Sequence, residues 1–269
     1  MELRGTVGIV TGASRGIGER LAEQLAQRGV SLALAARSVD DIEGLAERVR
    51  TMGVEAIAVP TDVTDRAALE TLVKRTESEL GPPDLLVNNA GIDSVEHFDR
   101  MDPDAIETMI ATNVIGPEIL TRLVCPGMAE RRRGHIVNIS STAGKSVPPF
   151  MTVYASTKHA IAAFSWCLRL EMQPYGVGVS VVYPHYVQEV GMFARRGTTP
   201  PRAIGSVSVD DVVTQTIRAI EENRAEVVVA PGLVKMADVL VAVSVDGAIS
   251  ASKRTGAYDF NRREADKHS

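Results

Sequence analysis

Short apolar runs alternate along the chain with longer segments in which apolar residues recur at helical spacing. Apolar runs of this length are typical of strands in a parallel sheet that is covered on both faces. They predict strands at 6–11, 31–36, 55–59, 84–88, 135–140, 178–183 and 226–230. The regular alternation of strand and helix is characteristic of repeated βαβ units.

Start and stop signals place helices between these strands. Ser38 is a candidate N-cap for a helix that ends at Gly53, and Pro103 begins a long helix that runs to about Met128. Further helices are predicted directly after the glycines at 12–18, and at about 65–80, 154–172 and 209–222.

Neither an internal repeat nor a linker interrupts this rhythm before about residue 230. We therefore predict an α/β fold: one Rossmann-type domain with a doubly wound parallel sheet of about seven strands and helices on both faces. The domain spans 1–253 and includes a loop rich in glycine and proline at about 188–208. The remaining residues, 254–269, are polar and are predicted to form a flexible tail.

Composition narrows the class of protein. The 269 residues include 29 Lys and Arg against 34 Asp and Glu, so the chain lacks the basic excess that is typical of nucleic-acid binding. The two cysteines, Cys125 and Cys167, lie in apolar helical patterns, which favours neither a disulfide framework nor a zinc site. No secretion signal precedes the first strand, and the apolar stretch 236–249 is too short for a bilayer. We predict a cytoplasmic protein without a membrane span.

A glycine-rich loop, TGASRGIG at 11–18, joins the first strand to the first helix. This is where the pyrophosphate of a dinucleotide meets a helix N-terminus, and glycines allow the backbone to approach it closely. An ordinary structural turn is the alternative, but the position between a strand and a helix favours a dinucleotide. The predicted cofactor-binding residues here are Gly12, Ser14, Arg15, Gly16, Ile17 and Gly18.

The end of the second strand indicates which dinucleotide binds. An acid at this position would bind the 2′-hydroxyl of NAD, whereas an arginine would bind the 2′-phosphate of NADP, and this chain has Ala36–Arg37. Arg15 is a candidate second guanidinium for the same phosphate. The alternative is that Arg37 is only a solvated residue at a strand end. Because the acid is missing, we predict NADP(H) in preference to NAD(H).

A phenol and an ammonium lie four residues apart at Tyr154 and Lys158, and therefore on one face of a helix. A neighbouring cation favours the phenolate, so it lowers the pKa of a tyrosine toward a range useful for acid–base chemistry. The fifth strand ends in Asn138–Ser141, at the sheet edge where α/β folds bind ligands. A serine hydroxyl there is suited to polarise a carbonyl group.

Taken together and in this order, these segments resemble the short-chain dehydrogenase/reductase family, in its branch with TGxxxGxG and YxxxK motifs. The resemblance covers roughly residues 5–230. It depends on TGASRGIG at 11–18, Asp62–Val63, Asn88–Gly91, Asn113, Asn138–Ser141, and Tyr154 with Lys158. In this family the catalytic serine lies thirteen positions before the tyrosine, which selects Ser141 rather than Ser140.

The resemblance implies roles for four catalytic residues and requires no metal. Tyr154 would be the general acid in reduction and the base in oxidation, while Lys158 would lower its pKa and hold the nicotinamide ribose. Ser141 would orient and polarise the substrate carbonyl. Asn113 would disturb its helix locally and hold a water that links Lys158 to a proton relay.

The resemblance also extends the set of cofactor-binding residues. Beyond the glycine loop and Arg37, it assigns to the cofactor Asp62, Val63, Asn89, Ala90, Gly91, Tyr154, Lys158 and Val187. The first two would contact the adenine, and the next three would line the adenine ribose.

The chain departs from the family after the sixth strand. Where the family usually has Pro-Gly-x-Val-x-Thr, this chain has Pro184-His185-Tyr186-Val187-Gln188-Glu189. His185 thus replaces a glycine, and Glu189 replaces a threonine that holds the nicotinamide carboxamide. These two exchanges call the binding of that carboxamide into question.

The loop at about 188–208 corresponds to the substrate loop of the family. Met192 and Phe193 are available there for apolar contacts, and Arg195 and Arg196 either attract an anionic substrate or lie on a solvated surface. The later apolar stretch, 227–249, suits a wall for a lipophilic substrate or a subunit contact equally well.

The predicted activity is NADP(H)-dependent interconversion of a secondary alcohol and a ketone or aldehyde, with a lipophilic small molecule as substrate. A 3-oxoacyl thioester reductase is the alternative among enzymes. A non-catalytic module that senses NADP(H) is the alternative outside them. The resemblance also implies a homodimer or homotetramer.

Overall fold

The computed structural model describes residues 1–194, 197–198, 200, 204–232, 234 and 244–268. Its strands are β1 (Val7–Thr11), β2 (Ser31–Ala36), β3 (Ala56–Pro60), β4 (Leu85–Asn88), β5 (Gly134–Ile139), β6 (Val177–Pro184) and β7 (Glu226–Val229). Each predicted strand is present and lies within one residue of its expected bounds. The prediction was this close because glycine, proline or polar residues bound most of the apolar runs.

Helices connect these strands. They are α1 (Gly16–Ala26), α2 (Val39–Arg50), α3 (Arg66–Glu79), α4 (Pro103–Ile110), α5 (Gly116–Arg131), α6 (Thr152–Met172), α7 (Gly191–Ala194), α8 (Val209–Glu221), α9 (Val245–Arg254) and α10 (Ala257–Ala265). Within the described ranges, no helix combines the length and the hydropathy needed to cross a membrane.

All strand pairs are parallel, and the sheet order is β3-β2-β1-β4-β5-β6-β7. The chain moves outward from β1 to β3 and then returns to place β4 on the other side of β1. In open α/β sheets a ligand crevice forms at such a reversal, outside the carboxyl ends of the strands. The fold is therefore the doubly wound, Rossmann-type sheet that the sequence predicted.

Buried apolar side chains cover both faces of the sheet. Successive residues of a strand point to opposite faces. In β1, Val10 joins a cluster with α1, α2 and α8, whereas Ile9 joins a second cluster with α3 and α5. Both side chains are fully buried, and each contributes about 1.5–3 kcal/mol through burial. The two clusters hold the strands in register and so position the loops at their carboxyl ends.

The long helix predicted from Pro103 is present, but it is not a continuous α-helix. A π-helical turn, Ala111–Ile115, separates α4 from α5. Such turns add a residue to the helical repeat and often occur at functional sites. Here the turn places Asn113 against the loop after β4, where its amide bonds to Ile92. The local disturbance implied at Asn113 is therefore found in the structure.

The C-terminal segment differs from the flexible tail predicted for 254–269, because it contains α10. One face of this helix is buried, and its members are Phe260, Asn261, Glu264 and Ala265. The face packs against Tyr186, whose ring centroid lies 6.2 Å from that of Phe260. The polar composition concealed the helix because only two of the four buried residues are apolar.

Candidate active site

One large cavity, with a volume of about 930 Å³, opens at the carboxyl ends of the strands. Its lining comes from the segments after β1, β2, β3, β4, β5 and β6, which the parallel sheet brings to one edge. Residues of α6, α9 and α10 line it as well. The cavity thus extends from the glycine loop to the C-terminal helices.

The glycine loop forms one end of the cavity. Gly12 and Gly16 have positive φ angles of 63° and 68°, which favour glycine. A Cβ on Gly18 would overlap the Gly12 carbonyl oxygen and lie 2.5 Å from Nδ2 of Asn89. In the described structure no side chain caps the N-terminus of α1. The loop therefore offers unpaired backbone N–H groups and a helix dipole, an arrangement that suits a phosphate.

Hydrogen bonds attach this loop to the segment after β4. Asn89 donates through Nδ2 to the carbonyl oxygens of Thr11 and Gly12 at 3.0 and 3.1 Å. The hydroxyl of Thr11 accepts from the N–H groups of Asn89 and Ala90 at 3.0 and 3.1 Å. Thr11 belongs to the TGASRGIG motif but not to the predicted set of site residues. Its position directly before Gly12 is the signal that identifies this bracing role.

The same end of the cavity carries charged residues. Arg15 and Arg37 both line it, together with Asp62 and Val63. Asp62 accepts hydrogen bonds from the N–H and hydroxyl of Thr64 at 2.9 and 2.7 Å. These bonds lower the pKa of Asp62, and the positive charge of Arg37 acts in the same direction. The Asp62 carboxylate is thus held ionised beside an arginine.

Tyr154 and Lys158 lie one helical turn apart on α6, where both side chains are buried and both line the cavity. The Lys158 ammonium lies 5.7 Å from the centroid of the Tyr154 ring and donates to the Ile139 carbonyl at 3.0 Å. Burial lowers the pKa of Lys158 to about 8, while the Asp93 carboxylate acts in the opposite direction. The phenol and the amine therefore share one buried environment, as their spacing predicted.

Ser140 and Ser141 occupy different environments. The Ser140 hydroxyl is buried and donates to the Lys158 carbonyl at 2.9 Å, which joins β5 to α6. Both serines line the cavity, but Ser141 is less buried, and its Oγ accepts from the Ala143 N–H at 3.1 Å. Of the two, Ser141 is the residue whose placement suits contact with a ligand.

His185, the residue that replaces a glycine, lies in the wall of the cavity. Its Nδ1 is 3.0 Å from the hydroxyl of Thr142, which follows Ser141 directly. Its Nε2 is buried and has no hydrogen-bond partner among the described residues. Burial lowers the pKa of His185 to about 4, with the Ile204 backbone acting in the opposite direction. The ring is therefore neutral at physiological pH.

Two other residues of the segment after β6, Val187 and Glu189, differ in burial. Val187 is buried, lines the cavity and forms a parallel bridge with Val207. Glu189 is exposed and does not belong to the described lining. The Glu189 carboxylate therefore lies outside the described wall of the cavity. Arg195 and Arg196 and the side chains of Met192 and Phe193 lie outside the described residues.

Most of the site residues selected from the sequence meet in this one cavity. Its lining contains Gly12, Ser14, Arg15, Gly16, Ile17, Arg37, Asp62, Val63, Asn89, Ala90, Gly91, Ser141, Tyr154, Lys158 and Val187. Gly18 and Asn113 are not part of the described lining and support it from behind. Thr142, Met151 and Asn261 also line the cavity and were not among the residues predicted from the sequence. Of these three residues, only Thr142 could have been predicted from its sequence neighbours, because it directly follows Ser141.

Comparison with known proteins agrees with this arrangement. The sequence pattern of the family described as short chain dehydrogenase matches residues 6–200. The ketoacyl reductase HetN of Nostoc sp. is 32% identical to this chain over 269 residues, which cover 98% of this chain and 94% of that protein.

Two solved structures have the same fold. A short-chain dehydrogenase from Sphingobium yanoikuyae in complex with NADPH has a TM-score of 0.79 and 29% identity, covering 91% of this chain and 95% of its own. A variant of the actinorhodin polyketide ketoreductase with NADPH has the same TM-score of 0.79 and 29% identity, covering 85% and 97%. The chain therefore belongs to the short-chain dehydrogenase/reductase family and is an oxidoreductase that acts on CH–OH groups.

Proposed function

We propose that this protein uses NADP(H) to interconvert a secondary alcohol and a ketone or aldehyde, with a lipophilic small molecule as substrate. One observation carries the proposal: a single cavity joins the glycine loop to Ser141, Tyr154 and Lys158. A cavity that held only the glycine loop would suit nucleotide binding without chemistry. The added hydroxyl, phenol and ammonium groups suit proton transfer at a carbonyl oxygen.

The residues present fit a dinucleotide. The pyrophosphate would lie on the glycine loop, where Gly18 leaves no space for a side chain beneath the turn. The adenosine would lie beside Arg37 and Asp62, and the nicotinamide ribose beside Tyr154 and Lys158. When bound, the cofactor supplies or accepts the hydride, and the protein supplies geometry and charge.

The proton chemistry belongs to the side chains of this chain. Tyr154 donates a proton to the substrate oxygen during reduction and accepts one during oxidation. The ammonium of Lys158 stabilises the phenolate, because an opposite charge favours the ionised form of a nearby group. Ser141 donates a hydrogen bond to the carbonyl oxygen and so orients the substrate.

Asn113 holds the water of the proton relay in this proposal. Its side chain is buried and bonds to Ile92 and to the hydroxyl of Thr157, the residue before Lys158. These bonds support a rigid position for the π-helical turn next to Lys158. Asn113 therefore acts as a positioning residue rather than by direct contact with substrate.

The preference for NADP(H) is supported by Arg15 and Arg37, which line the same end of the cavity. Two guanidinium groups suit the 2′-phosphate because they donate in a planar, bidentate geometry. The two similar solved structures described above contain NADPH. We propose that both arginines contact this phosphate.

The test is NADPH-dependent reduction of a panel of aryl and alkyl ketones and aldehydes, followed through the absorbance of NADPH. Tyr154→Phe should lower kcat by about 100-fold or more, because it removes the general acid. Its affinity for NADPH should not change. Ser156→Ala, an exposed position on α6, is the matched control and should retain full activity.

Two outcomes would overturn the enzyme proposal. If Tyr154→Phe turned over substrate at the rate of the unaltered protein, Tyr154 could not be the general acid. Tight NADPH binding without reduction of any carbonyl would favour the module that senses NADP(H), the reading that the exchanges at His185 and Glu189 motivated.

A second candidate function is reduction of a 3-oxoacyl thioester. The observation that favours it is the similarity to the ketoacyl reductase HetN, which extends over nearly the whole of both chains. A comparison of kcat/KM for a 3-oxoacyl pantetheine thioester and for a simple ketone distinguishes the two candidates. A clear preference for the thioester would support the second one.

We also propose a homodimer or homotetramer formed through α5 and α6. Apolar side chains are exposed near these helices: Ile115 is 48%, Trp166 44% and Leu170 72% exposed. Leu170→Asp should lower the molar mass measured by light scattering. Val39→Asp, at an apolar residue of α2 that is 46% exposed, is the matched control and should not change it.

A further inference from the structure

Ser141, which is proposed to hydrogen-bond the substrate oxygen, lies between two neighbours that other parts of the chain hold in place. Ser140, the residue before it, donates through its hydroxyl to the Lys158 carbonyl at 2.9 Å. Thr142, the residue after it, is 6% exposed, and its hydroxyl lies 3.0 Å from Nδ1 of His185. The position of the Ser141 hydroxyl therefore depends on α6 on one side and on His185 on the other.

Hydrogen bonds within the turn that follows Ser141 define the shape of that turn. The Ser141 Oγ accepts from the Ala143 N–H at 3.1 Å, and Ser146 donates to the Thr142 carbonyl at 2.8 Å. These bonds join residues two and four positions apart. The contact between Thr142 and His185 spans 43 positions, so it attaches the turn to the segment after β6.

The neighbouring elements hold His185 in its own position. Its backbone N–H donates to the carbonyl of Val229 in β7 at 2.9 Å. Its ring centroid lies 4.7 Å from that of Tyr186, and the Tyr186 centroid lies 6.2 Å from that of Phe260 in α10. The sheet and the C-terminal helix thus fix the side chain to which Thr142 is bonded.

The chemistry of the two groups suits a hydrogen bond. Burial lowers the pKa of His185 to about 4, so the ring is neutral at physiological pH. A neutral imidazole has one donor and one acceptor nitrogen, whereas a hydroxyl can donate and accept, so either tautomer can bond to Thr142 through Nδ1. The glycine that the family usually has at this position could not form this bond.

We infer that His185 is a positioning residue: it holds Thr142, and through Thr142 it fixes the Ser141 hydroxyl where it meets the substrate oxygen. The inference rests on the proposed function, since it concerns the reaction in which Ser141 takes part. A hydrogen bond that stabilises a transition state depends on accurate placement of its donor. Loss of the contact should therefore lower kcat and leave the affinity for NADPH unchanged.

The first test separates the hydrogen bond from the volume of the ring. His185→Phe keeps a ring and removes both nitrogens, and it should lower kcat for ketone reduction by about tenfold because Ser141 is less accurately placed. His185→Asn is smaller but carries an amide near the position of Nδ1, so it should recover most of that loss. His159→Phe, at an exposed position on α6, is the matched control and should retain the kcat of the unaltered protein.

The second test removes the other partner of the bond. Thr142→Val keeps the size of the side chain without its hydroxyl and should lower kcat by about tenfold, whereas Thr142→Ser keeps the hydroxyl and should recover most of the loss. Thr142→Val combined with His185→Phe should cost no more than either change alone, because both remove the same contact. Calorimetric titration of each folded variant should give the Kd for NADPH of the unaltered protein.

The outcomes separate the inference from the proposed function. An unchanged kcat for His185→Phe would overturn the inference and leave the proposed function intact. A loss in His185→Asn as large as that in His185→Phe, or weaker binding of NADPH by Thr142→Val, would also overturn it, since volume or cofactor binding would then be the cause.

Failure of the unaltered protein to reduce any carbonyl compound would overturn the proposed function and the inference with it. Losses of kcat that are shared by His185→Phe and Thr142→Val, are not additive, and are recovered by His185→Asn and Thr142→Ser would support the inference.

Discussion

Asn113 and Ile92 are joined by two hydrogen bonds, one through each polar atom of the asparagine amide. Its Oδ1 accepts from the Ile92 N–H at 2.9 Å, and its Nδ2 donates to the Ile92 carbonyl at 2.8 Å. Nδ2 also donates to the Thr157 hydroxyl at 3.1 Å. One buried side chain therefore ties the loop after β4 and the π-helical turn to α6, beside Lys158.

Replacement of this asparagine should destabilise the protein. In Asn113→Asp a carboxylate can still accept from Ile92, but both donated bonds are lost and a buried charge is added. We expect the free energy of unfolding to fall by about 3 kcal/mol, measured by urea denaturation. Asn223→Asp is the control, because that exposed side chain accepts a bond from Arg169 through Oδ1, which a carboxylate retains. An unchanged midpoint for Asn113→Asp would contradict the bonding described here.

The space around two glycines, Gly18 in the glycine loop and Gly44 in α2, predicts different effects of an alanine substitution. Gly18→Ala places a Cβ 2.5 Å from Nδ2 of Asn89 and against the Gly12 carbonyl, so the loop must shift. We expect NADPH to bind at least about tenfold more weakly, a loss of about 1.4 kcal/mol, by calorimetric titration.

The control for this change is Gly44→Ala in α2, where a Cβ would meet nothing within 4 Å. Alanine has the higher helix propensity, so this variant should unfold with about 1 kcal/mol more free energy and bind NADPH normally. Equal NADPH affinities for the two alanine variants would show that the space beneath the turn does not matter.

Arg37 should determine the choice between the two nicotinamide cofactors. Arg37→Asp removes a charge-assisted donor to the 2′-phosphate and places an acid where NAD would offer its 2′-hydroxyl. We expect the Kd for NADPH to rise by about tenfold or more and the Kd for NADH to stay equal or fall. Arg66→Asp, on α3 and paired with Glu70, should change neither constant. A parallel loss of both cofactors in Arg37→Asp would argue against a specific phosphate contact.

Buried histidines should make stability depend on pH. Burial lowers the pKa of His135 to about 3, and that of His185 to about 4, from an ordinary value near 6.5. Below about pH 6.5 the unfolded chain binds protons that the folded chain does not. The contribution of the neutral histidines to the free energy of unfolding is therefore complete above that pH and decreases as the pH falls. Each histidine should contribute a slope of up to about 1.4 kcal/mol per pH unit.

The measurement is the free energy of unfolding in urea at several values between about pH 4.5 and 7, a range in which the histidines titrate in the unfolded chain. His135→Gln should reduce the slope, since the buried ring that bonds to Ser180 is removed. His159→Gln, at an exposed position on α6, should keep the slope of the unaltered protein. Identical slopes for both variants would exclude His135 as a source of the pH dependence.

The strands were predicted closely because their signal is local. Runs such as Ser31–Ala36 contain only residues that a covered strand accepts, and their neighbours end them. The glycine loop was equally accessible, because its function depends on backbone conformation at Gly12 and Gly16, which the residue type itself permits. Tyr154 and Lys158 could be paired because helical spacing alone places them on one face.

The C-terminal helix was not predicted, and the reason is physical. Asn261 and Glu264 become buried in α10 only because other parts of the chain supply their surroundings, among them Tyr186 and Pro149. Composition counts such residues as polar and therefore as exposed. The same limit applies to His185, whose pairing with Thr142 joins residues 43 positions apart.

The sequence by itself determined the parallel sheet, the glycine loop at its edge and the helical spacing of the reactive groups, because each depends on neighbours within a few residues. The tertiary structure decided that the Ser140 hydroxyl donates to the Lys158 carbonyl, and that residues of α9 and α10 line the cavity. These properties depend on contacts between distant segments, which form only when the two faces of the sheet are packed.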